Sequence, residues 1–346
     1  MNSRRIIMLV AIALSAATAQ AAHVEVGDLG PKPGVQPVPV PPPANPVAEL
    51  IQCLEVHPPR RWRGLSVFPL TATRTFDTYN YATLDEGLAS GALIFSEVGE
   101  GRVPQVAVVN TSSRYTFLMA GETIRGGKQN RVIASDVMLP PRSGRIVIDV
   151  RCIEKGRWKG AAAFGDKAGV AGFGVRRRVQ SGATQEHIWS EVAERLKSLG
   201  QSPAGEDFAA AARAPEVQRQ LAECERVIFP GLPGRCVGVV VARGNRIAGA
   251  DVFCHDALFA KLRRKVLHGY ALDVIGVRFG AAMPMDERHV QAFLRNAANA
   301  RLEYVATPGV GQRARLVGVA GGHAIILNRA VTHMGLFPNM RMQPLR

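Results

Sequence analysis

Two apolar runs, Arg131 to Leu139 and Arg145 to Arg151, are separated only by Pro140-Pro141-Arg142-Ser143-Gly144. A join this short and rich in turn residues predicts an antiparallel hairpin. The polar stretch before the first run, Gly121 to Asn130, and the one after the second, Cys152 to Trp158, must then emerge at the same end. Pairing Val137 and Leu139 with Ile146 and Ile148 gives one apolar face. That register sets Arg131 opposite Glu154, and a two-residue slip sets it opposite Cys152. In both, Cys152 and Glu154 share the core-facing side.

Two segments precede the folded region. Arg4 and Arg5, the apolar run Ile6 to Leu14 and Ala19-Gln20-Ala21 form a secretory signal, residues 1–21, with cleavage after Ala21. The apolar run is short for a bilayer span, and no second one of spanning length follows. The twin arginines also resemble a twin-arginine signal, but the short n-region and strongly apolar core favour the general secretory route. The expected location is periplasmic or secreted. A proline-dense stretch follows, with eight prolines between Gly27 and Pro46. It predicts an extended spacer within residues 22–50, and the folded domain is expected over 51–340.

The rest of the chain changes character midway. Trp62 to Leu70, Leu93 to Glu97, Gln105 to Val109 and Tyr115 to Met119 read as strands. Thr83-Leu84-Asp85-Glu86 is a capping box for a short helix. Gln185 to Leu199 carries Ile188, Val192, Leu196 and Leu199 on one stripe, and helices are also expected from Pro215, from Asp256 and after Asp286. Cys236 to Ala242 and Arg246 to Phe253 form a hairpin across Gly244-Asn245, and strands near Leu302, Leu316, Ile325 and Val331 close the chain. The expectation is an α+β fold, as one domain or two lobes: a β-rich, sandwich-like 51–180 of antiparallel hairpins, then a mixed helix–strand 181–340.

The formal charge of +15 favours an anionic partner, a small molecule or an envelope component. Only 6 % of residues are aromatic, and no basic run is interleaved with stacking rings, so nucleic acid is disfavoured as a specific ligand. The histidines His255, His268, His289 and His323 have no ligand spacing, so no metal is expected, nor any other cofactor. His333 and Trp189 read as packing residues, and Arg176-Arg177-Arg178 as a solvated loop. The helix from Asp256 to Leu272 has a basic face through Lys261, Arg263, Arg264 and Lys265.

The polar cluster carries the candidate chemistry. Lys128, Arg131 and Arg157 suit phosphate or carboxylate, and Gly126-Gly127 lets backbone N–H groups approach an anion. Gln129 offers both an acceptor and donors. Glu122 and Glu154 are the acid–base candidates, and Trp158 is grouped with the binding residues. The competing reading is a buried ion-pair network that holds the hairpin end. Two function classes follow: an enzyme acting on an anionic, phosphate-bearing small molecule, and a non-catalytic envelope binding or structural module. A pocket at the cluster favours the first, a filled core the second.

Gly121-Glu122, Gly127-Lys128-Gln129-Asn130-Arg131 and Cys152-Ile153-Glu154-x-Gly156-Arg157-Trp158 resemble the ARG and Rhodanese-Phosphatase-superfamily-associated Protein domain family. Leu65 to Leu70, Thr83 to Leu88, Glu97, Gln185-x-x-x-Trp189, Gly238 to Phe253, and His333 with Phe337-Pro338 extend the resemblance over roughly residues 60 to 340. The family's name associates it with ADP-ribosylglycohydrolases and with rhodanese or phosphatase proteins. That implies chemistry near NAD, ADP-ribose or other phosphorylated metabolites, with no particular reaction. Cys152 belongs to the motif and is expected as a packed, structural thiol. Four other cysteines remain. Cys224 and Cys236 flank a proline-containing loop, and a disulfide between them is expected, with Cys53–Cys254 as a second pair.

Overall fold

The uninterrupted apolar segment from Cys236 to Ala242 folds as a strand buried on both faces. Its Val239 and Val241 enter one core, and its Val240 and Ala242 enter another. The sheet around this strand therefore has cover on each side. The computed structural model describes residues 45–99, 104–156, 164–200, 207–279 and 285–338. The signal segment and the spacer through residue 44 lie outside these. The spacer was expected to reach residue 50, but the structure begins a helix earlier: α1 (Pro46–Gln52) is capped by Asn45, whose side chain accepts from Val47 N and Ala48 N. Pro46 fits because the first helical position needs no N–H donor.

The remaining elements run in order β1 (Leu54–Val56), β2 (Arg60–Trp62), β3 (Leu65–Ala72), β4 (Ala82–Thr83), α2 (Leu84–Ala89), β5 (Leu93–Glu97) and β6 (Gln105–Asn110). Then come β7 (Thr116–Leu118), β8 (Glu122–Gly126), β9 (Arg131–Ile133), β10 (Val137–Leu139), β11 (Ile146–Cys152) and β12 (Phe164–Val170). Four helices follow, α3 (Phe173–Gln180), α4 (Gln185–Ser198), α5 (Phe208–Ala212) and α6 (Pro215–Ile228). The chain closes with β13 (Cys236–Arg243), β14 (Arg246–Phe253), α7 (Asp256–Ala271), α8 (Glu287–Ala298), β15 (Arg301–Val305), β16 (Gln312–Val317), β17 (Ala320–Leu327) and β18 (Ala330–Pro338). The fold is α+β and β-rich.

A nine-stranded antiparallel sheet runs β1-β3-β13-β14-β18-β17-β16-β15, with β2 added on β3. Val47 and Leu50 of α1 and Val290, Phe293 and Leu294 of α8 cover one face, against Phe68, Val240, Val252 and Met334. Side chains of α4, α6 and α7, such as Ile188, Leu221 and Leu262, pack into the core on the other face. A six-stranded sheet, β12-β8-β9-β11-β6-β5, and a three-stranded one, β10-β7-β4, enclose a third core around Val108, Leu118, Ile133 and Ile148. Early and late sequence share a sheet, because β3 pairs with β13.

The central hairpin takes a different form from the one expected. Arg131 to Leu139 is not one strand: β9 and β10 belong to different sheets. The break is at Asp136, which is buried; its Oδ1 accepts from Ala120 N at 2.8 Å and its Oδ2 lies 2.6 Å from His333 Nδ1. Holding those partners turns the chain, so β10 pairs with β7 while β11 pairs with β6 and then β9. At the polar end the slipped register holds, with Cys152 opposite Arg131. Trp62 to Leu70 is likewise two strands, broken at Arg63, whose φ is 50°. Arg176 to Arg178, expected as a loop, lie in α3, and Arg176 is buried because its guanidinium meets Asp251.

Candidate functional site

The polar cluster is brought together, and most of it is filled core. Arg131 is fully buried; its Nη1 donates to Gln129 Oε1 at 2.9 Å and to Cys152 Sγ at 2.7 Å, and its Nη2 lies 3.8 Å from Glu97. Glu97 Oε1 also accepts from Lys128 N at 2.8 Å. Gln129 Nε2 donates to Glu154 O, and Asn130 N donates to Glu154 Oε2 at 3.0 Å. Gln185 clamps Cys152 from α4, accepting from its N–H at 3.1 Å and donating to its carbonyl at 2.9 Å. Burial pushes the Cys152 thiol up, and Arg131 offsets this only in part. These contacts suit a rigid scaffold. Arg157 and Trp158 lie outside the described residues.

Glu122 departs from the cluster. It is fully buried, but its Oε1 faces α7, where Lys265 Nζ lies 2.5 Å away, and its Oε2 accepts from Met119 N at 2.8 Å. Lys265 Nζ also lies 2.8 Å from Asp85. Burial drives Glu122 up towards its neutral form, and Lys265 pulls it only partly back. Burial works against the Lys265 ammonium too, but Glu122 and Asp85 outweigh it and hold it up. The direct Nζ contact and the Met119 donor both favour the carboxylate, so the pair is taken as ionised.

Lys265, but not Glu122, lines a cavity of about 550 Å³ between α7, α5, α6 and the strands β8 and β12. Arg125, Arg213, Lys261, Arg263, Arg264, Lys265 and His268 line it, and Asp85 is the one lining carboxylate among the described residues. Residues three and four apart share a helix face, so Lys261, Lys265 and His268 project together from α7. Lys261 is engaged by Glu86 at 3.1 Å and Arg264 by Glu225 at 3.0 Å. Arg213 and Arg263 are exposed and have no carboxylate partner among the described residues. His268 Nε2 lies 2.7 Å from Glu225 Oε1; burial lowers its pKa more than Glu225 raises it, so the ring is neutral near pH 7. The carboxylate then fixes the proton on Nε2.

The basic face of α7 was visible in the sequence, but nothing there joined it to Glu122. The link is tertiary. A signal of a kind existed: a helix both apolar and basic, in a chain whose buried Glu122 needed a cation.

Elsewhere, His333 sits in a buried network. Its Nδ1 meets Asp136, its Nε2 lies 3.0 Å from Asp251, Arg176 reaches Asp251, and Tyr270 Oη donates to Asp251 Oδ2 at 2.9 Å. Burial opposes its charge, but the two carboxylates outweigh burial and carry His333 up to about 9. Asp77, Cys254 and His255 place donor atoms within 4.8 Å of one another. Both His255 nitrogens are engaged, Nδ1 accepting from Leu258 N at 3.1 Å and Nε2 donating to Tyr79 O at 3.0 Å, so no lone pair is left for a metal.

The expected disulfides are corrected: all five cysteines are free thiols. Cys224 and Cys236 are packed into the apolar core, and Cys236 Sγ instead donates to Gly238 O at 3.2 Å. Burial pushes the Cys224 thiol up to about 12. No helix among the described residues is long and apolar enough to cross a membrane.

No curated protein and no solved structure matches the chain. A family model does match, over residues 53–337, which includes every described element from β1 to all but the end of β18. The chain belongs to the family of the ARG and Rhodanese-Phosphatase-superfamily-associated Protein domain.

Proposed function

We propose that the cavity beside α7 binds an anionic, phosphate-bearing small molecule, and that the protein does so outside the cytoplasm. The observation that carries this is the cation excess of the lining, in which Arg213 and Arg263 have no carboxylate partner among the described residues. Such side chains in a concave site attract anions and hold phosphate through charge-assisted hydrogen bonds. The signal pattern of residues 1–21 supports export. The family's name makes ADP-ribose a natural probe, alongside inorganic pyrophosphate.

An enzymatic reading rests on His268, a neutral imidazole with a fixed tautomer at the cavity wall. A non-catalytic binding module is favoured by two other observations. Glu122 is wholly buried, and Glu154 is spent on Asn130 N. Calorimetric titration of pyrophosphate and ADP-ribose tests the binding, and product analysis of the same mixtures separates the two readings. Absence of binding by either probe overturns the proposal.

A further inference from the structure

The walls of the cavity are unlike. The basic wall is α7. The facing wall is largely apolar, with Ala209 and Ala212 from α5, Leu221 from α6, Phe229 beyond its end and Val170 from β12, and it carries Gln218 and Arg213 as its polar groups. At one place the two touch directly, where the Arg263 guanidinium lies 5.0 Å over the Phe229 ring. A purely hydrophilic anion would satisfy the first wall and leave the second wetted. A ligand with an apolar body would remove that surface from water, at roughly 25 cal/mol per Å². The volume of about 550 Å³ is that of a site for one small organic molecule.

We infer that the ligand is a soluble organic phosphate whose esterifying group is apolar and flat. This rests on the binding reading above and narrows it. The phosphate meets Arg263 and Arg213, and the body lies against the partly exposed Phe229, Ala212 and Val170. Arg263 serves both halves, because a guanidinium that stacks on a ring still presents N–H donors at its edge.

A graded ligand series tests this with the purified protein: inorganic phosphate, methyl phosphate, phenyl phosphate and 1-naphthyl phosphate, titrated calorimetrically. Affinity should rise along the series, with naphthyl phosphate at least tenfold tighter than methyl phosphate. Phe229→Ala should abolish most of that gain, costing naphthyl phosphate at least tenfold more affinity than it costs inorganic phosphate. Phe229→Leu, which keeps an apolar side chain, covers the case in which the alanine variant melts early. Equal affinity along the series overturns the inference but spares the anion site, whereas no binding by any member removes the site itself. Vesicles containing phosphatidate distinguish a lipid source. Stronger retention on them than on naphthyl phosphate would make the surface a membrane contact and overturn the soluble-ligand assignment.

Discussion

Asn130 Nδ2 donates to Asp207 Oδ1 at 3.1 Å, across 77 residues of sequence. Asp207 is the N-cap of α5, its side chain also accepting from Ala209 N at 2.9 Å. The neighbouring backbone is tied as well: Glu154 bridges to Asp207, and Phe208 N donates to Ile153 O at 3.3 Å. The two polar motifs therefore hold α5 in place, and α5 supplies Ala209 and Ala212 to the cavity wall, with Arg213 as its C-cap. The Gln129–Arg131–Cys152–Glu154 network stands behind the cavity, which the same motif stretch lines through Thr123 and Arg125.

Asn130→Ala should loosen that wall. Losing a largely buried hydrogen bond to a charged partner costs about 1–3 kcal/mol. Affinity for naphthyl phosphate should fall about three- to tenfold, because α5 has only five residues and relies on its cap. Thermal melts and titrations on the same sample check both. A lowered melting temperature with unchanged affinity would uncouple the network from the cavity.

Arg131→Met should destabilise the protein by about 3–5 kcal/mol, since it removes the buried cation beside Glu97 and, among the described residues, leaves that carboxylate only the Lys128 N–H and the Gln129 carbonyl only the Cys152 thiol. Denaturant unfolding measures this. A stable variant that has lost phosphate binding would instead place Arg131 in the ligand site.

The pH dependence follows from His333. In the folded protein its pKa is raised to about 9 from an ordinary 6.5. The protonated ring therefore stabilises the fold fully below about 6.5, and the contribution is lost as pH rises through about 9. Asp251 shifts the other way: burial raises it, but Arg176 and His333 outweigh burial and hold it below the usual carboxylate range. Its contribution is present at neutral pH and lost in strong acid. Melting temperature should decline between pH 7 and 10, and His333→Gln should flatten that decline. A parent curve that is flat over this range would show that the ring is not charged.

The regular elements were legible in the sequence because their signals are local. The Thr83 capping box, the α4 stripe and the Gly244-Asn245 turn each depend on residues a few positions apart, and each is present. The closeness of Gln129, Arg131, Cys152 and Glu154 was also legible, since strand pairing forces it. What stayed hidden was the partner of each polar group. Asp136 breaks the expected strand to reach His333, and Glu122 turns to Lys265; both partners lie more than a hundred residues on. No period or turn signal encodes such a pairing. Disulfides inferred from compartment and loop length failed for a related reason, because packing had already assigned Cys224 and Cys236 to the core.

Five free thiols should react with an alkylating reagent in denaturant without reductant. In the native state only Cys53, which is partly exposed, should react quickly. Recovery of a linked Cys224–Cys236 peptide would contradict this.

The central claim is that the α7 cavity binds the anion while the motif residues build its support. The direct measurement is calorimetric titration of 1-naphthyl phosphate into three proteins: the parent, the Arg213→Ala/Arg263→Ala double variant and Lys128→Ala. Arg213 and Arg263 are exposed, so their loss should leave the melting temperature within a degree or so. The account predicts a dissociation constant raised at least tenfold in the double variant and less than twofold in Lys128→Ala. Binding abolished by Lys128→Ala and untouched by the double variant would contradict it, and would return the site to the motif cluster.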